Sequence, residues 1–519
     1  SMTNSNAQVL ALQSTNNLTY AGKWGDHNLV ATGVWEAASN ETRLMGIQGD
    51  NMVHELLGYW NVKDAASRDA SNGYQKWSML SGVARVMYNY ADRYMLTGTL
   101  RADGSSRFQN KKWGYFPSIA AAWTVSNEKF FEPLKNAIEY LKVRASYGVI
   151  GHQDITPYST LGGLSTLSFN YGMSSSTTGY WIGDLGTPDL TWEKVHQLDF
   201  GIDLGLLKGR LNLGIDFFSK KTTDALLIQK PTMSSGDVKY WSNAGEVSNK
   251  GVDVNVTAHV IQTKDFLWTT TINASYLKNE VTKLTAQSPR LYGEKPSAGS
   301  VDPCTIITKG EAIGTFYGFK WAGVEKNADG HFVDMYYKAD GTKTADPNKD
   351  TDRFVLGHAN PDVTVGWNNA ITYKNWEFNA FFNGAFGAKR LNLVRYSMNS
   401  TPGASPFVTD KDYFSQVGIT MPTYGKGKSY GNSSKWLENA DYFRCENISV
   451  AYTLPRSMMK FADVRLSFSA QNLFTITGYK GIDPAGIAFS DANVDNNNGI
   501  DMGAYPNPRT FTFGVRLSF

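Results

Sequence analysis

The chain has 519 residues, with 50 Lys and Arg against 47 Asp and Glu, so its formal net charge is +3. Nearly balanced charges argue against nucleic-acid binding as its main role, and a 41% hydrophobic composition excludes a disordered chain. The 49 Gly, 27 Tyr, 27 Phe and 14 Trp favour strands over helices. Only 2 Cys are present, which excludes a disulfide scaffold. Cys304 and Cys445 either pair or stay buried and free, and we expect the free state because nothing local brings them together.

Hydrophobic residues recur at every second position through most of the chain, which is the period of a β-strand. In the last segment, Phe511, Phe513, Val515, Leu517 and Phe519 share one face, opposite Thr510, Thr512, Gly514, Arg516 and Ser518. A helical pattern is scarce, and its main candidate, 128–140, is expected to be a short connecting turn of helix. The pattern predicts an all-β fold with about fifteen spanning strands, near residues 15–24, 27–39, 74–90, 93–103, 114–125, 140–150, 190–206, 209–229, 246–262, 266–281, 361–373, 376–389, 441–454, 463–474 and 508–519.

Short and long connections alternate along this series of strands. The long, polar ones cover residues of about 40–73, 151–189, 229–245, 282–360, 390–439 and 475–507. Tight turns alternating with long loops are typical of an outer-membrane barrel with periplasmic turns and extracellular loops. Strands of ten or more residues fit a tilted membrane span, and aromatic residues at strand ends fit interfacial girdles. A soluble β-sandwich also alternates apolar with polar residues, but these features favour a transmembrane antiparallel β-barrel.

The segment 316–324 is also strand-like, but counting it as a span would break the alternation, so we assign it to an extracellular hairpin. Fifteen is an odd number, whereas bacterial single-chain barrels have an even number of strands and both ends in the periplasm. If the final strand ends in the periplasm at Phe519, the first strand begins outside, at Ser1. Because lipid does not tolerate open sheet edges, we expect the chain to be the C-terminal part of a larger barrel.

Several motifs occur in the same order as in one known family. They are Arg101–Phe108 (RADGSSRF), Gly114–Ser118 (GYFPS), Leu141–Gly148 (LKVRASYG), Asp189–Lys194 (DLTWEK), Ser469–Thr475 (SAQNLFT), Gly481–Pro484 (GIDP) and Arg509–Phe511 (RTF). In these segments the chain resembles the SusC/RagA-type TonB-dependent outer-membrane receptors of Bacteroidetes. The resemblance implies a barrel of about 22 strands with a plugged lumen, of which about seven strands, the plug and the TonB-interacting segment lie outside this sequence. It also implies uptake of oligosaccharides, less often of peptides, together with a SusD-like surface lipoprotein.

The candidate binding residues are aromatic side chains in the long loops. Sugar rings pack their C–H faces on Trp and Tyr while their hydroxyls need polar neighbours. Residues that meet this description are Tyr180, Trp181, Tyr240, Trp241, Tyr292 and Trp436. The alternative is that these side chains pack the loops against one another or onto a lid.

Two loop segments carry oxygen side chains at every second position, the spacing of the first half of a calcium loop. The first has Asp346, Asn348, Asp350 and Asp352, and the second has Asp491, Asn493 and Asp495. Neither has the glycine and distant glutamate of an EF-hand, so a solvated acidic turn is the alternative to structural Ca²⁺. No cofactor is required by the function we expect. Phe519 fits a signal for the barrel-assembly machinery, or an aromatic that anchors the membrane belt.

The residues do not point to an enzyme. Residues 427–431 (GKSYG) match a nucleophile elbow, but that motif needs a strand before it and a helix after it, whereas this segment lies in a long loop. We therefore expect a TonB-dependent importer in the outer membrane, with an oligosaccharide as its substrate. The alternatives are a peptide importer of the same architecture, a passive or structural barrel, and a soluble carbohydrate-binding sandwich.

Overall fold

A computed structural model describes residues 2–52, 58–170, 176–229, 238–286, 288–293, 295–296, 301–326, 328, 330, 332–400, 430–459, 462–486 and 498–519. This part of the chain is almost entirely β-structure. Its strands are β1 (Met2–Trp24), β2 (His27–Met52), β3 (Ala65–Tyr90), β4 (Tyr94–Ser105), β5 (Trp113–Thr124), β6 (Ile138–His152), β7 (Gly163–Asn170), β8 (Ser176–Asp184), β9 (Glu193–Leu206), β10 (Leu211–Thr223), β11 (Leu226–Gln229), β12 (Tyr240–Asn243), β13 (Gly245–Gln262), β14 (Phe266–Leu284), β15 (Arg290–Tyr292), β16 (Thr305–Thr308), β17 (Thr315–Phe319), β18 (Trp321–Lys326), β19 (Phe332–Tyr337), β20 (Lys343–Thr344), β21 (Arg353–His358), β22 (Val363–Tyr373), β23 (Trp376–Phe386), β24 (Lys389–Asn392), β25 (Leu437–Asn439), β26 (Tyr442–Thr453), β27 (Asp463–Thr477), β28 (Ile500–Asp501) and β29 (Thr510–Ser518).

The helices of the described residues are few and short. Three are 3-10 helices (Gly58–Asp64, Val125–Asn127 and Lys129–Leu134), and one is the α-helix α1 (Leu393–Ser400). The helix expected within 128–140 is thus confined to the 3-10 helix Lys129–Leu134, which contains Pro133, because β6 begins at Ile138. Among the described residues, no helix combines the length and the apolar character needed to cross a membrane.

Fifteen strands form one sheet, in the order β1-β2-β3-β4-β5-β6-β9-β10-β13-β14-β22-β23-β26-β27-β29. Strands that follow each other pair in antiparallel register, for example His27 with Tyr90 and Arg465 with Arg516. Each member of the sheet corresponds to one of the fifteen predicted strands, so the predicted fold class is confirmed. Strands β17 and β18 lie outside this sheet, so 316–324 is not a member of it, as expected. The expected hairpin is wrong, because β17 pairs with β16 and β21 while β18 pairs with β19 in a different small sheet.

The first three strands are longer than predicted. Pairing of β2 with β3 continues from His27 and Tyr90 to Met52 and Ala65, and β1 pairs with β2 as far as Met2 and Gly49. Most of the expected loop 40–73 is therefore part of a three-stranded extension of the sheet. The predicted strands ended where the alternation of apolar and polar residues ends. Backbone hydrogen bonds do not need that pattern, and a polar hairpin therefore continues past the apolar part of the strands.

The chain divides into two compact units. Unit 1 comprises Ser1–Asn127, Arg144–Asp199 and Lys220–Glu246, and unit 2 comprises Glu128–Val143, Phe200–Ser219 and Val247–Phe519. In each unit the apolar face of the strands is exposed. Phe513 in unit 2 is 82% exposed, with Phe511, Val515 and Leu517 also exposed, and Leu96, Leu100 and Ile119 are exposed in unit 1. Such a face suits lipid as its neighbour.

Aromatic rings gather near the tight turns of both units. In unit 1, Tyr94 stacks on Tyr90 and on Trp123, each at 6.4 Å between ring centroids. In unit 2, the rings of Trp376 and Tyr452 lie 4.6 Å apart beside the turn at Lys374 and Asn375. These rows have the composition and placement of an interfacial girdle. The connection 207–209 shows how tight the turns are, because all three residues take positive φ angles.

Candidate ligand-binding site

Two small hairpins of unit 1 carry four of the predicted binding residues. Tyr180 and Trp181 lie on β8, which pairs with β7, and Tyr240 and Trp241 lie on β12, which pairs with β11. The hairpins are joined where the backbone N–H of Leu185 donates to the carbonyl of Lys239 at 3.0 Å. The fold therefore brings together two pairs of aromatic residues that are 60 positions apart in the sequence.

The four side chains differ in what they already contact. Tyr180 is 72% exposed and shares its face of the hairpin with the exposed Leu164 and Ile182. Trp181 is also exposed, on the opposite face. By contrast, Tyr240 donates its hydroxyl proton to Oε1 of Gln229 at 2.9 Å, and Trp241 packs against a buried aromatic cluster. Tyr180 and Trp181 therefore have most ring surface available for a ligand.

That buried cluster, the unit 1 core, packs against the β11–β12 hairpin through Leu226 and Trp241. It consists of Phe108, Phe116, Ile155, Leu190 and Trp192. The ring of Trp192 lies 5.3 Å from that of Phe108 and 5.4 Å from that of Phe116, and its Nε1–H donates to the carbonyl of Lys112 at 2.9 Å. Gly151 borders Phe116 so closely that a Cβ there would overlap the ring. Three of the motifs that carried the family resemblance thus meet in one structural core.

The polar faces of the spanning strands carry side chains that are hydrogen-bonded to one another. Asp199 accepts hydrogen bonds from Nε2 of Gln197 at 2.9 Å and from the hydroxyl of Ser146 at 3.3 Å. In unit 2, Arg465 pairs with Glu377 at 2.6 Å between Nη2 and Oε2. A cavity of about 530 Å³ lies against this face in unit 1, with Arg85, Thr97 and Thr99 among its lining. A polar lining of this kind suits an aqueous lumen.

The remaining two predicted aromatics lie in unit 2, in contrasting surroundings. Tyr292 is half exposed, with its ring 6.2 Å from that of Tyr317. Trp436 is only 1% exposed, and Lys435 and Arg395 hold their cations 4.6 and 5.7 Å from its ring. The prediction that Trp436 binds a sugar is therefore corrected: its ring is packed inside the protein and offers no free face to a ligand.

Trp436 belongs to a second buried cluster, the unit 2 core, which joins three of the predicted long loops. Its members are Val301, Cys304, Phe316, Ala359, Leu391, Leu393, Trp436 and Ile500. Backbone pairing strengthens it, since β24 pairs with β25 and, in parallel, with β28. Loops 282–360, 390–439 and 475–507 therefore share one hydrophobic interior. Cys304 and Cys445 are both buried and free, as expected.

Charged groups also fix these loops. Lys435 donates to both carboxylate oxygens of Asp334, at 2.9 and 2.7 Å, and the two side chains are only 4% and 1% exposed. Nearer the surface, Asp302 contacts Lys349 at 2.7 Å and Arg353 at 3.3 Å. The hydrogen bond from Lys349 is the main reason that the pKa of Asp302 is lowered. Separating Lys435 from Asp334 would leave a buried charge without a partner, which would strongly destabilise the folded loop. Such a pair therefore holds the loop in one conformation.

The first predicted calcium segment is organised by its own backbone. Asp352 is buried, and its carboxylate accepts the backbone N–H groups of Asn348 at 2.8 Å and Ala339 at 3.0 Å, which lowers its pKa. Asp346 accepts the hydroxyl proton of Tyr430 at 2.9 Å, and Asp350 donates its N–H to Asn348. In the described part of the chain, no three His, Cys, Asp or Glu side chains are grouped to hold a metal. Calcium binding here stays a prediction.

Some predicted residues lie outside the described residues. They are Asp491, Asn493 and Asp495 of the second calcium segment, and residues 427–429 of the GKSYG motif. Phe519 is described and follows directly after β29, with its side chain 92% exposed. Its role in assembly stays a prediction.

A large antiparallel sheet with an exposed apolar face, aromatic rows at its tight turns and structured long loops defines an outer-membrane β-barrel protein. The family model described as TonB dependent receptor-like, beta-barrel matches residues 2–473. The chain belongs to this family, which is one of receptors and transporters and not of enzymes.

Curated relatives support the assignment. The chain is 33% identical to TonB-dependent receptor P3 of Formosa agariphila, over 98% of this chain and 52% of that protein. It is 28% identical to TonB-dependent receptor SusC of Bacteroides thetaiotaomicron, over 88% of this chain and 45% of that protein. The chain thus spans about half the length of the curated relatives it matches.

Among solved structures, the RagAB peptide transporter is similar over the whole of this chain and 56% of its own, with a TM-score of 0.83 and 24% identity. At 24% identity, this similarity is evidence for the fold alone. The predicted resemblance to SusC/RagA-type receptors is confirmed.

Proposed function

We propose that this chain forms part of a TonB-dependent importer that takes up an oligosaccharide across the outer membrane together with a SusD-like surface lipoprotein. The ligand first contacts the long loops, held between them and the lipoprotein. Movement of a plug, driven through TonB, then opens a path along the polar face of the strands. The chain binds and passes its ligand without changing it chemically.

The observation that carries the choice of a glycan is the pair of joined hairpins in unit 1. Tyr180 and Trp181 present exposed rings, and the neighbouring residues Ser165, Thr166 and Thr178 supply hydroxyl groups. A flat aromatic face beside hydrogen-bonding groups matches the two surfaces of a sugar ring. Tyr292, half exposed in unit 2, offers a similar surface.

We also propose an orientation. The tight turns, with their aromatic rows, lie in the periplasm together with Phe519, and the long loops and Ser1 lie outside. The rest of the receptor supplies a plug and about seven further strands, which completes a barrel of about 22 strands. Support comes from the sheet itself, because in the described residues β1 pairs with β2 alone and β29 with β27 alone. Lipid does not tolerate unpaired strand edges.

Calorimetric titration tests the choice of ligand. The whole receptor, purified with its lipoprotein in detergent, is titrated with neutral oligosaccharides of six to seven sugars and, separately, with peptides of similar mass. We expect saturable heat from at least one oligosaccharide and none from the peptides. Binding of peptides alone would overturn the glycan proposal and identify a peptide importer of the same architecture.

A further inference from the structure

A second polar cavity of about 380 Å³ lies in unit 1, beside the unit 1 core. It is formed where the end of β4 meets the segment that follows β6. Its lining includes Arg101, Asp103, Arg107 and Gln153, with Met79 and Trp192 as the apolar part. Arg101, Asp103 and Arg107 belong to the RADGSSRF motif, so the motif builds a cavity in addition to a core.

Three lining side chains each have a buried polar atom without a hydrogen-bond partner. These atoms are Oδ1 of Asp103, Nε of Arg107 and Oε1 of Gln153. Asp103 as a whole is only 5% exposed. Buried polar groups are nearly always paired, and leaving one unpaired costs free energy. Three such atoms around one cavity therefore indicate a place where another molecule supplies the partners.

Each of these side chains has another atom that is already engaged, which holds the three unpaired atoms in position; for Gln153 it is Nε2, which lies 3.3 Å from Sδ of Met79. Asp103 accepts the Nε–H of Arg101 through Oδ2 at 2.7 Å, and Arg101 also donates to Ser81 at 3.1 Å. Arg107 donates from Nη1 to the carbonyl of Gln153 at 3.2 Å, and its guanidinium lies 5.0 Å from the ring of Trp77. A site whose groups are fixed before binding loses little side-chain entropy when a ligand arrives.

We propose that this cavity is a subsite for one sugar unit of the imported oligosaccharide. The unpaired atoms are two acceptors and one charged donor. Neighbouring hydroxyl groups satisfy both kinds at once, because each hydroxyl donates one proton and accepts through its oxygen. Asp103 and Gln153 receive hydroxyl protons, and Arg107 donates to a hydroxyl oxygen. The inference rests on the proposed function, which it deepens by naming where a sugar hydroxyl is recognised.

Other ligand classes fit the cavity less well. An apolar ligand would leave all three atoms unpaired. The lining has two guanidinium groups, Arg101 and Arg107, and each already has a carboxylate partner, Asp103 at 2.7 Å and the exposed Asp154 at 3.4 Å. A metal cation would face the two guanidinium groups, and an anion would face the two carboxylates. A neutral, hydroxyl-rich group avoids both repulsions.

The test uses the whole receptor with its lipoprotein and the oligosaccharide that gives the strongest calorimetric signal among maltohexaose, laminarihexaose, cellohexaose and mannohexaose. Asp103→Asn keeps an oxygen for Arg101 but turns the group at the cavity into a donor. Gln153→Met keeps the side-chain length and removes the acceptor. Asp69→Asn is the matched control, because Asp69 is exposed on β3 of the same unit and its substitution removes the same charge.

We expect Asp103→Asn to weaken binding about tenfold, Gln153→Met to weaken it by a smaller factor, and Asp69→Asn to leave it within twofold. Saturable oligosaccharide binding that both cavity variants retain would overturn the subsite and leave the proposed function standing. A drop in thermal stability of ligand-free Asp103→Asn without loss of affinity would also overturn it, and would indicate a contact with the rest of the receptor. Binding of hexapeptides alone would overturn both proposals.

Discussion

At the scale of single residues, loop aromatics with the same sequence character have opposite environments. Tyr180 is 72% exposed on a hairpin, whereas Trp436 is 1% exposed in the unit 2 core. The environment of Trp436 depends on residues such as Val301 and Ile500, which are more than 60 positions away. Local sequence therefore shows that an aromatic lies in a loop but not whether its ring is free.

Replacing each of these two residues separates packing from binding. We expect Trp436→Ala to destabilise the folded loops by about 3–5 kcal/mol, because it removes a large ring from a filled core. Hydrogen exchange of residues 301–308 and 389–400 in the whole receptor measures that loss as faster exchange. Tyr180→Ala should leave exchange unchanged and weaken oligosaccharide binding. Unchanged exchange in Trp436→Ala would contradict the packing role.

Asp352 gives the loops of unit 2 a dependence on pH. Its pKa is lowered by the backbone N–H groups of Asn348 and Ala339 that its carboxylate accepts. A carboxyl group with a lowered pKa in the folded state stabilises that state above its unfolded pKa of about 3.9 and ceases to do so as the pH falls through the folded value.

We therefore expect protease sensitivity of residues 338–352 to rise as the pH falls below about 4. Proteolysis of the whole receptor by pepsin, followed by mass spectrometry, measures the effect. In Asp352→Asn the segment should be cut readily at pH 5 as well, and its sensitivity should depend less on pH. Equal resistance of both proteins at pH 5 would show that the carboxylate does not hold the turn.

At the scale of elements, the spanning strands could be predicted and the loop structure could not. Each spanning strand has its own two-residue period, because one face meets lipid and the other meets water. Several loop strands are short and have distant partners: Leu391 of β24 pairs with Ile500 of β28, and Phe319 forms a bridge with Ser433. A segment of two to six residues carries no period of its own, so only the folded chain reveals these pairs.

The same reasoning explains the two candidate sites. The aromatic character of Tyr180 and Trp181 was visible in the sequence, because a Tyr-Trp pair stands out in a polar loop, whereas the exposure of their rings was not. The cavity at Asp103 was not predicted as a site, although its motif was recognised. Its defining property is the absence of partners for Asp103, Arg107 and Gln153, and that property depends on three-dimensional neighbours.

Strand β29 allows a direct test of which face meets lipid. Phe513 lies on the exposed apolar face, and its neighbour Thr512 points to the opposite face, paired with Ser469. Phe513→Arg should destabilise the membrane-inserted barrel by about 2–4 kcal/mol, because a charge near the bilayer midplane is costly. Thr512→Arg introduces the same side chain towards the polar face and should cost much less.

Folding of the whole receptor variants into lipid vesicles, followed by urea titration, measures both changes. The expected order of stability is the unsubstituted receptor, then Thr512→Arg, then Phe513→Arg. The reverse order of the two variants would place the apolar row away from lipid and would contradict the assignment of faces.

At the scale of the whole molecule, the two sheet edges bear on the proposal of a larger barrel. Within the described residues, β1 and β29 each have a paired strand on one side only. The chain spans about half the length of its curated relatives. We expect this chain expressed alone to aggregate in detergent and the whole receptor to stay dispersed, because unpaired edges are sites of association. Size-exclusion chromatography of both proteins distinguishes the outcomes. A dispersed, monomeric form of the chain alone would mean that its sheet needs no further strands.

Energy coupling separates the proposed importer from a passive or structural barrel of similar appearance. Binding to the loops needs no energy, whereas moving a plug against its contacts requires work from the inner membrane. A protonophore should therefore abolish uptake of a labelled oligosaccharide by cells while leaving its binding at the cell surface intact. Deletion of TonB should have the same effect, and cells that lack the receptor should lose both binding and uptake. Uptake that continues after the proton gradient collapses would show that the ligand diffuses through an open pore, and the polar face at Asp199 would then line a passive channel.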